Sequence, residues 1–162
     1  MRNTSSLSWR PHTTFLLIGG FVVILVALAI AYIIQNFKPT TEVRVASGVY
    51  RLWVADTEAE RVQGLSGVEQ LSPDGGLLMD FETDDYWGIW MKDMKIPLDI
   101  VWLDADKQVV YIVKNASPEL STDTVMQPKS QARYVLELPV GSVEKSGIKT
   151  GHVVDFELEG AR

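Results

Sequence analysis

Hydrophobic and polar positions divide this chain into two polymers of different character. From Phe15 to Ile34 the sequence FLLIGGFVVILVALAIAYII is apolar without interruption by a charge. Twenty helical residues at about 1.5 Å each span about 30 Å, the thickness of a bilayer's hydrocarbon core. The run has no polar face, which argues against a buried core helix, and backbone groups placed in lipid are satisfied only in a helix. The pattern therefore predicts a transmembrane signal-anchor over residues 15–34, after a short tail of residues 1–14. A cleavable signal peptide competes, because Ala29-Ile30-Ala31 is a small-x-small site. Against it, the apolar run continues through Tyr32, Ile33 and Ile34 and exceeds the length of an ordinary signal core.

After a linker at 35–41, the pattern becomes that of a globular domain over residues 42–160. Alternating or short apolar runs predict strands at Glu42–Val45, Val49–Val54, Leu77–Phe81, Trp87–Met91, Leu98–Leu103, Val109–Val113, Arg133–Leu138 and Val153–Leu158. Ser47-Gly48, Pro73-Asp74-Gly75-Gly76 and Asp104-Ala105-Asp106-Lys107 read as turns. Between Asp56 and Gly64, Thr57 and Glu60 have capping-box spacing, and Gly64 suits a helix end; this predicts a helix of about two turns. Pro139–Ser146, closed by Gly147, holds a second short helix, and Lys114–Ser130 is a long polar loop. The expected fold is α+β and mostly antiparallel: a compact barrel-like or sandwich domain with two short helices, preceded by the N-terminal membrane helix.

Charge narrows the partners. All 21 acidic residues but only 12 of the 15 Lys and Arg lie in residues 41–162, giving that part a net charge of −9. Such a domain does not bind nucleic acid through general phosphate attraction. The basic residues flanking the apolar run, Arg2, Arg10, Lys38 and Arg44, give little orientation bias. A short N-terminal tail ordinarily stays inside, which places the globular domain outside the cytoplasm. With no cysteine in the chain, disulfides, thiolate metal sites and cysteine nucleophiles are excluded. The two histidines, His12 and His152, lie on opposite sides of the proposed span, so no histidine-based metal site is expected. Neither Glu82/Asp84/Asp85 nor Asp104/Asp106 has calcium-loop spacing, and solvated turns are expected there. No metal and no cofactor is expected.

Chemistry concentrates in Tyr86-Trp87-Gly88-Ile89-Trp90-Met91-Lys92-Asp93-Met94-Lys95-Ile96-Pro97-Leu98-Asp99. Aromatic faces beside a cation and carboxylates suit a sugar, an amine or a polar peptide group. The competing reading is core aromatics with a rim ion pair, which is commoner on composition alone. Arg61 either complements the C-terminal dipole of its short helix or clamps a ligand with its planar fork. Asp99 either accepts backbone N–H bonds, pairs with Arg61 or Lys92, or serves as a general base.

The run WMKDMKIPLDIVWLD resembles the signature WMKNTxxPLDIxFID of domain-of-unknown-function family 192. Ala59–Leu65 resembles that family's E-R-x-x-G-L-M element, Gly76–Phe81 its G-M-L-F-x-F element, and Arg133–Gly141 its K-Y-V-L-E-L-P-A-G element. Gly147-Ile148 and Gly151-His152 resemble its closing G-I-x-x-G-D. The resemblance covers about residues 43–158 and implies a compact β-rich fold with a groove near the Trp-Met-Lys loop. It implies no activity. Members are commonly secreted or membrane-tethered. This chain departs from the pattern at Ser66 (Met in the family), Asp93 (Asn) and His152 (Asp), and at 67–70, which lack the usual basic residue.

Together these readings predict a membrane-anchored binding module, with Arg61, Trp90, Lys92, Asp93 and Asp99 lining a groove for a small polar ligand or a peptide segment. Two other classes remain open. One is a hydrolase or lyase using Asp99 or His152 as base; the other is an accessory subunit of a cell-envelope assembly.

Overall fold

The computed structural model describes residues 18, 21–31, 39–120 and 124–158. The chain divides into two units, Met1–Phe37 and Lys38–Arg162. In the first, residue 18 and residues 21–31 (α1) are helical, and their side chains are exposed. Among the described residues, no helix is long and apolar enough to cross a membrane. Positions 15–17, 19–20 and 32–34 of the expected span, and the tail that holds His12, lie outside the described residues.

The second unit is built from β1 (Thr40–Val45), β2 (Gly48–Ala55), α2 (Glu58–Gln63), β3 (Leu77–Asp85), β4 (Ile89–Trp90), β5 (Leu98–Leu103), β6 (Val109–Ala116), β7 (Val125–Met126), β8 (Ala132–Pro139) and α3 (Ser142–Ser146). Six strands form one curled, half-barrel sheet in the order β1-β2-β3-β8-β5-β6. β4 and β7 pair separately. The fold is α+β and mostly antiparallel, as the pattern predicts, with three short helices including α1.

Several elements follow directly from local sequence. β5 occupies the predicted residues 98–103, and all six are buried because the strand is covered on both faces. α2 starts at Thr57, whose hydroxyl accepts the Glu60 N–H while the Glu60 carboxylate accepts the Thr57 N–H. That reciprocal pair satisfies two of the helix's orphan donors and holds the Glu60 carboxyl below its ordinary pKa, chiefly through the Thr57 hydroxyl. α2 ends at Gly64 with φ 50° and ψ −133°, not in the αL region its position suggests.

Other elements differ from expectation. β2 and β3 run parallel, with Trp53 opposite Leu77, because α2 and the loop after it carry the chain back across the sheet as a crossover. At the start of β3, Gly76 lies so close to β8 that an added Cβ would sit 2.3 Å from the Glu137 carbonyl oxygen. The Trp87–Met91 strand shrinks to Ile89–Trp90, and the long loop contributes β7 as its partner. The expected last strand, Val153–Leu158, is instead an extended strap. It makes isolated bridges to Arg44 beside β2 and to Gln108 beside β6, and so reaches both edges of the curled sheet.

The sheet separates two apolar clusters. One, inside the curl, includes Val43, Leu52, Leu78, Val101, Leu103, Leu136 and Leu138, covered by Val143, Ile148, Val154 and Phe156. The other covers the opposite face with Met79, Leu98, Ile100, Trp102, Val135, Leu65, Met91 and Met94. Strand alternation assigns the residues of β5, and of β8 from Tyr134 to Leu138, to one face or the other; Ala132 packs on the second face with Val135, where the pairing with β3 shifts register.

Candidate functional site

A cavity of about 370 Å³ opens on the second face, between α2, the loop that follows it, the end of β3 and the β4 region. This volume falls within the range of small-ligand sites. Its apolar walls are Leu65, Met79, Phe81, Trp87, Ile89, Trp90 and Met94; Glu58, Arg61 and Glu137 are its charged residues.

The aromatic wall is ordered by specific contacts. Phe81 stacks on Trp87 with centroids 4.4 Å apart and planes 14° from parallel. The Trp87 indole N–H donates to the Thr83 carbonyl at 2.9 Å. The Arg61 guanidinium lies 5.4 Å from the Phe81 centroid, and its Nη1 donates to the Asp80 carbonyl at 2.7 Å and to the Asp56 carbonyl. Asp80 is fixed in turn: its carboxylate takes both Nε and Nη2 of Arg133, at 3.0 and 3.1 Å, and accepts the Glu82 N–H at 2.8 Å. That pairing raises the Arg133 pKa above its ordinary value. The helix end, the strand end and the aromatic pair therefore form one braced wall.

Glu137 is the anomaly. It lies on β8, opposite Leu77 on one side and Ile100 on the other, and is 4% exposed. Its Oε2 is buried with no hydrogen-bond partner. Burial alone pushes its pKa up to about 7, because the charged form loses its hydration. A side chain at position 64 would place its Cβ 3.7 Å from that oxygen; glycine there leaves the approach open.

The structure separates the five residues expected to share one groove. Arg61 and Trp90 line the cavity. Lys92 and Asp93 line a neighbouring, shallower depression with Trp90 at the boundary. Asp99 joins neither. It is 1% exposed on the opposite face of the sheet, and its two oxygens accept the Asn115 and Val143 N–H groups, each at 2.9 Å. This is the capping role, with no ion pair to Arg61 or Lys92. Asp93 adopts φ 56°, a left-handed backbone that asparagine and aspartate tolerate, and its carbonyl accepts the Gly67 N–H. The backbone thus accounts for both the family's Asn and this chain's Asp. Ser66, where relatives carry Met, donates its hydroxyl to the Lys92 carbonyl. His152 is half-buried with its Nδ1 enclosed, and it does not line the cavity.

Residues 28–156 match the sequence pattern of DUF192, described as an uncharacterized ACR. The chain belongs to domain-of-unknown-function family 192. The UPF0127 protein of Thermococcus sibiricus is 30% identical over 112 residues, which are 69% of this chain and 70% of that protein. Its counterpart in Thermococcus gammatolerans is 27% identical over 113 residues. A crystal structure of a protein of unknown function from Novosphingobium aromaticivorans superposes with a TM-score of 0.66 at 30% identity, over 73% of this chain and 84% of that one. A Sinorhizobium meliloti protein, titled a candidate transcription regulator, superposes with a TM-score of 0.70 at 27% identity, over 74% and 95%. The two solved structures share this chain's fold, and the family's description assigns it no function.

Glu137 is not among the five residues the sequence predicts for the site, although it lies in Arg133–Gly141, the run that resembles the family's K-Y-V-L-E-L-P-A-G element. The signal was a lone carboxylate inside Tyr134-Val135-Leu136-Glu137-Leu138, where neighbours on both sides are apolar.

Proposed function

We propose that this family 192 domain is a binding module whose ligand occupies the cavity between α2, the end of β3 and β4. The observation that carries this reading is a ligand-sized, aromatic-walled cavity whose lining includes a buried carboxyl oxygen without a partner. Folded proteins satisfy nearly all buried polar atoms, and an orphan at a cavity is the atom a ligand would complete. The walls suit a flat or aliphatic body with one hydrogen-bonding end. A longer ligand, such as a peptide segment, extends past Trp90 toward Lys92 and Asp93.

The module is carried on a membrane helix over residues 15–34, with the domain outside the cytoplasm. The uninterrupted apolar run and the exposed apolar side chains at residues 18 and 21–31 support this placement. A reporter fused after residue 162, active only outside the cytoplasm, checks it; activity only inside would reverse it.

The cavity reading is tested with the full chain in lipid nanodiscs, using empty discs as the blank. Sugars, amines, nucleotides and short peptides are titrated while tryptophan fluorescence is followed. One class should bind, and Trp90→Ala should weaken it tenfold or more with little change in melting temperature, because Trp90 is 42% exposed. Binding indifferent to Trp90→Ala, or no binding by any class, overturns it.

A further inference from the structure

We propose that the cavity's ligand carries a protonated amine, received by the buried, unpartnered Glu137 Oε2. This rests on the binding reading above and names the chemical class that the site selects.

Three features point to a cation. First, the charged groups of the lining are Glu58, Glu137 and Arg61. Arg61 is held at Nη1 by the Asp80 and Asp56 carbonyls; once Glu137 is ionised, the carboxylates of the lining outnumber it two to one. Second, the lining includes the indoles of Trp87 and Trp90, which attract a cation through their quadrupoles, while Phe81 is already engaged by Trp87 and Arg61. Third, the charge of −9 over residues 41–162 raises the local concentration of cations and lowers that of anions.

The raised pKa of Glu137 comes from its burial, with no charged group among the causes. β3 places Leu77 opposite it and β5 places Ile100 opposite it. The turn after α2 offers Gly64, and α2 itself contributes Glu58 and Arg61 to the same cavity. Lys92 and Asp93 face the adjoining depression instead. An arriving ammonium group therefore meets a carboxyl whose proton is retained only because its charged form is desolvated. The O–H bond breaks, its electron pair stays on the carboxylate, the proton leaves to solvent, and the ammonium supplies the compensating charge.

The linkage has a definite sign. Below the pKa of about 7, an amine must displace a proton, so its affinity weakens by up to roughly tenfold per pH unit as pH falls. Above it the carboxylate is already ionised and the affinity levels off. A neutral acceptor received by the protonated acid gives the reverse slope.

The test uses three probes with one ring body: 2-phenylethylamine, 2-phenylethanol and 3-phenylpropanoate. Each is titrated by calorimetry against the full chain in nanodiscs from pH 5 to pH 8. We expect the amine to bind best at pH 8, to weaken toward pH 5, and to release close to one proton at pH 6 in buffers of differing ionisation enthalpy. Glu137→Gln should abolish the slope and the amine preference while the alcohol still binds. If that variant does not fold, the wild-type slope and proton count decide alone. The amine assignment is overturned if the alcohol or the carboxylate binds as well as the amine at pH 8, or if affinity rises toward low pH, while Trp90→Ala still weakens binding. Failure of all three probes overturns the amine assignment; the cavity reading falls only if no class of ligand binds.

Discussion

Two buried carboxylates lie on neighbouring strands of one sheet and face opposite ways. Asp99, on β5, points into the curl and fills both oxygens with backbone N–H groups, one from the end of β6 and one from the first turn of α3. Glu137, on β8, points to the other face and leaves Oε2 empty beside a cavity. Burial is nearly equal, 1% and 4% exposure, so burial does not separate them. The difference is partners: a carboxylate saturated by its own backbone is a structural tie, and one left unsaturated at a cavity is available to a ligand.

Substitution sharpens this contrast. Asp99→Ala leaves the buried Val143 N–H without an acceptor, at about 1–3 kcal/mol, frees the part-buried Asn115 N–H, and adds a small void. A loss on the order of 3–5 kcal/mol is expected in urea unfolding; a loss below about 1 kcal/mol would break the comparison.

Glu137→Gln should act in the opposite direction, and only at high pH. The folded state holds the Glu137 proton more tightly than the unfolded chain, with a pKa of about 7 against 4.5. Raising the pH through that window therefore favours unfolding, and the penalty is complete above about pH 7. At about 1.4 kcal/mol per pH unit of displacement, it amounts to about 3 kcal/mol. The variant should gain stability of that order over wild type at pH 8, with the gain vanishing near pH 4. Equal stability differences at both pH values would show that Glu137 is not held neutral by the fold.

A smaller effect is expected at Thr57→Ala. It removes the N-cap of α2 and should cost about 1 kcal/mol, read as faster amide exchange in 58–63 than in β5. The smallest belongs to Asp93→Asn, which restores the family's residue at a left-handed position and should change stability by less than about 0.5 kcal/mol. A large loss there would mean the Asp93 charge does more than fit its backbone.

These positions also show which parts of the molecule are legible in sequence. The capping box of α2 and the boundaries of β5 were readable because their causes are local: Thr57 and Glu60 lie three apart, and Leu98–Leu103 is a continuous apolar run. The capping role of Asp99 was foreseeable as one option, since aspartate beside a proline turn commonly accepts backbone bonds. The parallel pairing of β2 with β3 was not, because it depends on how far the α2 crossover carries the chain. The cavity was legible only through the family resemblance, as a groove near the Trp-Met-Lys loop with Arg61 and Trp90 on it; its full set of walls, from residues 58–66, 79–94 and 137, is brought together by sheet order. Glu137 read as one letter of a strand motif, since a strand's sequence does not say whether a charge on a covered face has a partner.

The strap of residues 153–157 has a consequence for life beside other copies of the same chain. The outermost strands of an open sheet present unpaired N–H and C=O groups that can template a neighbouring chain. Here Asp155 exchanges two backbone hydrogen bonds with Arg44 on β1, while Val154 donates to the Lys107 carbonyl at the entry to β6. One segment thus occupies backbone sites at both rims. Removing it should expose both rims together and leave the domain prone to edge-to-edge aggregation at high local density.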